Sequence, residues 1–274
     1  MDVQVTDGGK LVKDLTQGDF AVTDEGQPQS LVSFSHGDEP VNLILLLDIS
    51  GSMQKHIDEI SMEARAALDH LRPGDRVAIM VFAKTTAVAQ EFSDNLAETA
   101  RNISDAVKDW DVGTSTLINA AVVDATRYMD EHAGPGGRRA ILILTDNLSM
   151  SYRLTDGQVV REMSKADTVF NAIITGRGIR PQDLAPGKPS DPDLTPANVF
   201  NLAEQTGGEW VKAENAGESF KDMIERIRSR YMLAYHAPES QAGNFRHITV
   251  TLAEAARKRY PAAELHSRSG YYAE

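Results

Sequence analysis

Asp48, Ser50 and Ser52 stand at alternate positions in the stretch V-N-L-I-L-L-L-D-I-S-G-S-M, and each side chain ends in oxygen. Where a chain leaves an extended segment, three oxygens at this spacing can converge on one point. Gly51 lets the backbone turn tightly between them. One carboxylate and two hydroxyls are hard donors, which suit Mg²⁺, Mn²⁺ or Ca²⁺ better than Zn²⁺ or copper. The plainer alternative is that Asp48 and the serines only cap the helix that follows. A second acid, Asp146, closes the apolar run I-L-I-L-T-D. Between the two acids lies Gly113-Thr114-Ser115-Thr116-Leu117, with three hydroxyls ahead of a helical stretch. One hydroxyl is expected to cap that helix, and another, one turn away, can face a cation.

The elements around these residues would place them together. Leu43 to Leu47 is unbroken apolar sequence, the pattern of a strand covered on both faces. After Met53 the spacing turns helical at Ile57, Ile60, Met62, Ala64, Ala67, Leu68 and Leu71. The oxygens therefore sit at the carboxyl end of a strand, where open α/β sheets bind ligands. From Val41 to about Tyr231 strand and helix patterns alternate. Strands are expected at Val77 to Phe82, Ala140 to Leu144, Thr168 to Ile174 and Trp210-Val211, with Ala87 to Phe92 as a hairpin partner on the sheet edge. Helices are expected at Leu96 to Trp110, Leu117 to Met129, Gln158 to Ala166, from Thr195-Pro196, and at Phe220 to Tyr231. This order predicts an α/β fold, a doubly wound, mainly parallel, Rossmann-like sheet with helices on both faces. Asp48 and Asp146 then share one sheet edge.

The two ends of the chain read differently. Residues 1–38 alternate like strands around the turns Asp7-Gly8-Gly9 and Asp24-Glu25-Gly26, and residues 232–274 read as all-β. Each is too short to make a stable sheet alone. They are expected to pair in space as one small β domain, with the α/β domain of residues 39–231 inserted in it. The alternative is that each extends the central sheet.

The chain has 274 residues, with 28 Lys and Arg against 40 Asp and Glu, a net charge of −12. That balance disfavours nucleic-acid binding and suits cations or basic partners. There are no cysteines, which excludes disulfides and thiolate metal sites. No apolar run approaches the roughly 18 residues of a membrane span. No signal peptide is read at the N-terminus.

The set of D-x-S-x-S after a buried strand, hydroxyls before a later helix, and an Asp after another buried strand resembles the metal-ion-dependent adhesion site of von Willebrand factor A domains. The resemblance covers about residues 41 to 231. It implies a metal held by Asp48, Ser50, Ser52, Ser115 and Asp146. Ser115 takes the place of the family's usual Thr, and a one-residue loop shift would make the ligand Thr114. Asn147 stands where the family usually has Gly. The resemblance implies Mg, with Mn or Ca possible, and a partner protein whose Asp or Glu completes the metal shell. It implies a binding module, not an enzyme. Gly9 to Gln29 and the ending from Tyr235 to Tyr272 resemble segments that flank this domain in bacterial von Willebrand factor A-related proteins. Many of those are exported, which points to the periplasm or the exterior.

Two other readings compete. One is a structural domain of this family that binds no metal. The other is a serine hydrolase using Ser52 and Lys55, since S-x-x-K occurs at Ser52 and S-D-N at Ser93. K-T-G after S-D-N is missing, and Ser52 follows a buried parallel strand, the wrong setting. The loop from Gly176 to Pro196, with Pro181, Pro186, Pro189, Pro192 and Pro196, is expected to rise on the metal edge and shape partner choice.

Overall fold

The structure is a computed structural model, and it describes residues 1–105, 108, 110–150, 154–176, 178, 194–196 and 198–273. In chain order its strands and α-helices begin with β1 (Asp2–Asp7), β2 (Lys10–Leu11), β3 (Phe20–Asp24), β4 (Gln27–Gln29) and β5 (Leu31–His36). The α/β region follows as β6 (Val41–Asp48), α1 (Gln54–Leu68), β7 (Arg76–Phe82), β8 (Thr86–Ser93), α2 (Leu96–Asp105) and α3 (Ile118–His132). It continues with β9 (Arg138–Thr145), β10 (Leu148–Met150), α4 (Asp156–Lys165), β11 (Thr168–Ile174), β12 (Leu194–Pro196), α5 (Val199–Thr206), β13 (Trp210–Lys212) and α6 (Ala216–Arg228). The chain closes with β14 (Tyr231–Tyr235), β15 (Phe245–Leu252), α7 (Glu254–Arg259), β16 (Ala263–Ser267) and β17 (Gly270–Tyr272).

The central sheet has the order β13-β11-β9-β6-β7-β8. All its pairings are parallel except the edge hairpin β7–β8. All eight residues of β6 are buried, because helices cover both faces. Val41, Leu43, Leu45 and Leu47 meet Ile57, Ile60 and Leu68 of α1 and Phe220 and Ile224 of α6. Ile44 and Leu46 meet Val122 and Met129 of α3, Val159 of α4 and Phe200 of α5. Each such side chain contributes about 1.5–3 kcal/mol by leaving water, which makes this sheet the rigid base for the loops at its carboxyl edge.

The two chain ends pair with each other rather than with the central sheet. β1 lies between β14 and β16, and β14 also pairs with β5. β15 lies between β3 and β17. Both ends thus contribute strands to both antiparallel sheets. Val3, Val5, Phe20, Val22, Tyr231, Leu233, Ile248, Val250 and Leu252 form the core between them. The alternation expected in β15 is seen as buried Ile248, Val250 and Leu252 among outward Thr249 and Thr251. Arg138, at the start of β9, fastens this part to the α/β region. Its guanidinium donates to Asp2 and to the carbonyl oxygens of Ile227 and Arg228.

Several elements differ from expectation. The helix from Leu96 ends at Asp105, and Trp110 stands exposed outside it; Ile103 is the residue of that stretch that lies in the core among the described residues. Thr195 and Pro196 do not start a helix but lie in β12, paired with β10, which the sequence reading missed. The helix begins at Val199, where the Asn198 side chain accepts the Asn201 N–H. The last helix of the α/β region ends at Arg228, and Tyr231 opens β14. The C-terminal segment is not all-β, because E-A-A-R-K-R forms α7. These are strong helix formers, with Lys258 paired to Glu254 one turn away. Pro181, Pro186, Pro189 and Pro192 lie outside the described residues, so the expected partner-selecting loop does as well.

Candidate metal centre

β6 ends at Asp48 and β9 at Thr145, one residue before Asp146, and the two strands are parallel neighbours. Their following loops therefore meet. The Asp48 carboxylate accepts the Ser50 N–H at 3.0 Å and the Thr145 hydroxyl at 2.8 Å. The Ser50 and Ser52 hydroxyls lie 3.4 Å apart, and Ser52 donates to Asp146 at 2.9 Å. Asp48, Ser50, Ser52 and Asp146 thus form one connected cluster. It grades outward from Asp48, fully buried, through half-buried Ser50 and Asp146 to exposed Ser52.

Capping does not explain these side chains. No side-chain cap bond is made at the start of α1, whose cap position is Met53. Nor is one made at α3, whose cap position is Leu117, so the hydroxyl expected to cap that helix does not do so.

Ser115 is placed differently. The 112–117 loop is fastened to the β7–β8 turn by the Lys84 N–H to the Val112 carbonyl (2.8 Å) and the Leu117 N–H to the Ala83 carbonyl (2.9 Å). It sits at the carboxyl end of β7, beside β6. Gly113 allows this, with φ +79° and a would-be Cβ only 2.8 Å from the Lys84 side chain. Ser115 is half-buried and Thr114 exposed. Among the described residues no hydrogen bond joins either one to the four-residue cluster.

Burial pushes the Asp48 carboxyl up to about 6. The bonds from Ser50 and Thr145 oppose that shift, and the nearby Asp146 charge adds to it. Among the described residues no lysine, arginine or histidine forms an ion pair with either acid. Nor do these residues hold a cluster of three or more His, Cys, Asp or Glu. A cation here would rest on two carboxylates and neutral hydroxyls. That donor set fits a hard divalent ion, and two unneutralised acids in one cluster favour a positive charge between them.

Two contributors were missed from sequence. Thr145 is fully buried, holds Asp48 by its hydroxyl and accepts the Asn147 N–H at 3.2 Å. Its only sequence signal is its place between the strand and Asp146. Asn147 has φ 59°, the left-handed region, which among side-chain-bearing residues Asn tolerates well. The departure from Gly at this position therefore keeps the turn. Ser52 and Lys55 do not form a hydrolase pair: Ser52 faces Asp146, and Lys55 faces Glu59 at 3.5 Å.

An open, mainly parallel sheet with an acid-and-hydroxyl cluster at its carboxyl edge defines a class, and comparison with known proteins shows what this region is similar to. Residues 43–148, a span that includes both acids, match the von Willebrand factor type A domain. The match covers the first part of the α/β region, from β6 to the start of β10. In fold it is similar to an aerotolerance-related membrane protein from Bacteroides fragilis (18% identity, 68% of this chain and 98% of that one, TM-score 0.50). It is also similar to proximal thread matrix protein 1 of the mussel byssus (13% identity, 74% of this chain and 49% of that one, TM-score 0.54). A further structure of the mussel protein, with a zinc-occupied MIDAS motif, aligns over 70% of this chain and 48% of that one at 13% identity and TM-score 0.53. No curated protein matches the sequence.

Proposed function

We propose that this protein is a divalent-metal-dependent protein-binding module, whose metal accepts an Asp or Glu from a partner. The observation that carries the reading is the cluster of Asp48, Ser50, Ser52 and Asp146, two acids joined through hydroxyls with no cation paired to them among the described residues. Asp48 and Asp146 would hold the ion by charge, and Ser50 and Ser52 by neutral oxygens. Ser115, or Thr114 after a small loop shift, would add a further hydroxyl. When bound, Mg²⁺ supplies a hard Lewis-acid position that exchanges water for a carboxylate oxygen. Thr145 keeps the Asp48 carboxylate oriented. Exposed Ser52 keeps the outer side of the cluster open to solvent.

Residues 39–231 would be the binding domain, inserted in a β unit built from 1–38 and 232–274. Support comes from the strand pairing of the two chain ends and from their separate core. No helix of the described residues is long and apolar enough to cross a membrane.

Calorimetric titration with Mg²⁺ and Mn²⁺ tests the reading. Wild type is expected to bind one ion. Asp48→Ala is expected to bind none while keeping its circular-dichroism spectrum. Wild type that takes up neither ion would leave only a structural domain of the family.

A further inference from the structure

A second binding surface lies away from the metal edge, where α4 faces the last strand of the chain. A groove of about 880 Å³ opens there, lined among others by Arg161 and Lys165 of α4, by Arg268, and by Tyr271 and Tyr272 of β17. Its size falls in the range of roughly 300–1,000 Å³ that suits ligand pockets.

β17 is an edge strand, since among the described residues it pairs only with β15. The Ile248 N–H to Ser269 carbonyl and Ala273 N–H to Asn244 carbonyl bonds fix the phase of that pairing. Arg246 and Tyr271 are then a bonded pair, and the N–H and C=O groups of Gly270 and Tyr272 point away from β15. Gly270 is buried, and Val160 and Met163 of α4 line the narrow gap beside it. Tyr272 is half-buried and lines the groove, so its outward backbone groups are the ones open to a guest. At the opposite edge of the same sheet, β4 carries Pro28, which blocks strand addition. β17 carries no proline.

Three cations, Arg161, Lys165 and Arg268, line the groove against two acids, Asp167 and Glu239, in a protein of net charge −12. Lys165 is also paired with Glu162 at 2.9 Å, so Arg161 is the principal cation offered to a guest. The Arg161 guanidinium lies over the Tyr272 ring, 4.9 Å from its centre, and forms no ion pair among the described residues. Arg268 binds Asp167 through Nη1, while its buried Nε has no partner among the described residues. Cations at the rim, an aromatic wall and an open strand edge suit an extended chain with carboxylates along one side.

We infer that this groove docks an acidic, extended peptide segment of a partner protein. The segment would pair with the backbone of Tyr272 and lay its carboxylates against Arg161, Lys165 and Arg268. This site does not depend on the metal cluster.

The test uses the full 274-residue chain, ¹⁵N-labelled and held in EDTA. The probes are the peptide acetyl-EVEVEVEV-amide and its lysine counterpart, acetyl-KVKVKVKV-amide. The acidic peptide should shift and protect the Tyr272 amide and shift the amides of Arg161, Ser164 and Lys165. The lysine peptide should shift none of these. Arg161→Glu should weaken binding at least tenfold with its own spectrum otherwise unchanged, and Asp48→Ala should bind as wild type. The inference fails if the acidic peptide moves no groove resonance at millimolar concentration, or if the lysine peptide moves them equally. It fails also if Arg161→Glu binds as wild type, or if Asp48→Ala abolishes binding, which would assign the peptide to the metal edge.

Discussion

Asp24 ends β3 and Asp48 ends β6; both are fully shielded from solvent, yet their carboxyl groups are driven in opposite directions. Burial raises both. At Asp24 it is overcome by Arg246, with Nε at 2.8 Å, and by the Tyr235 and Tyr271 hydroxyls at 2.7 and 2.9 Å. These donors come from three strands in two sheets, so Asp24 ties the β unit together. At Asp48 the donors are a backbone N–H and hydroxyls, the nearest charge is another acid, and burial prevails. A buried acid that the protein neutralises serves the fold. One held beside a second acid, with no cation paired to it among the described residues, has the charge that the proposed metal site requires.

The largest expected difference between the two sites is in stability. Asp24→Ala leaves a half-buried guanidinium and two half-buried hydroxyls without their shared acceptor and should cost about 3 kcal/mol, read as a lower urea midpoint. Asp48→Ala in EDTA should unfold no more easily than wild type. Equal losses in the two variants would erase the distinction.

The pH dependence should divide the sites next. The Asp48 carboxyl is raised in the folded state, so its favourable contribution is complete below about pH 4 and is lost as the pH rises through about 6. With each unit of pKa worth about 1.4 kcal/mol, metal-free protein should lose roughly 3 kcal/mol across that window. Asp24 is depressed, so its contribution is present above its unfolded pKa and disappears as the pH falls through its lower folded value. Urea titrations in EDTA, wild type against Asp48→Asn, check the first limb. A flat wild-type curve between pH 4 and 7 would contradict it.

Thr145→Val removes the hydroxyl that orients Asp48 while keeping the side-chain volume. Divalent affinity should fall on the order of tenfold, the scale of supporting bonds behind metal ligands. Unchanged affinity would mean that Asp48 does not need this partner. The smallest effect belongs to the turn. Asn147→Gly should change stability by less than about 1 kcal/mol, whereas Asn147→Val should lose about 1–2 kcal/mol, because a branched residue resists φ 59°.

Much of the central region was legible because its signals are local. The apolar run of β6 reads as a strand covered on both faces, and the oxygens at alternate positions after it read as a group that can converge. The start of α4 lies two residues before the expected Gln158, at Asp156, where Thr155 and Gln158 cap it reciprocally. The misses were short or tertiary. β10 and β12 have three residues each, and their pairing joins residues 148–150 to 194–196. α7 fills a gap between strands, where a C-terminal segment of alternating pattern had suggested only sheet.

From its residues alone the chain determined the alternation of strand and helix, the run of oxygens after Leu47 and the acid after Thr145. Only the packed structure decided that Thr145 would hold Asp48, that the loop of Ser115 would lie on the β7–β8 turn, and that Asp24 would meet Arg246 and two tyrosines from distant strands. Periodicity is set by which face of each element must leave water, so it is written into neighbouring residues. The state of a buried charge is set by what the rest of the chain brings beside it, and no local stretch of sequence carries that.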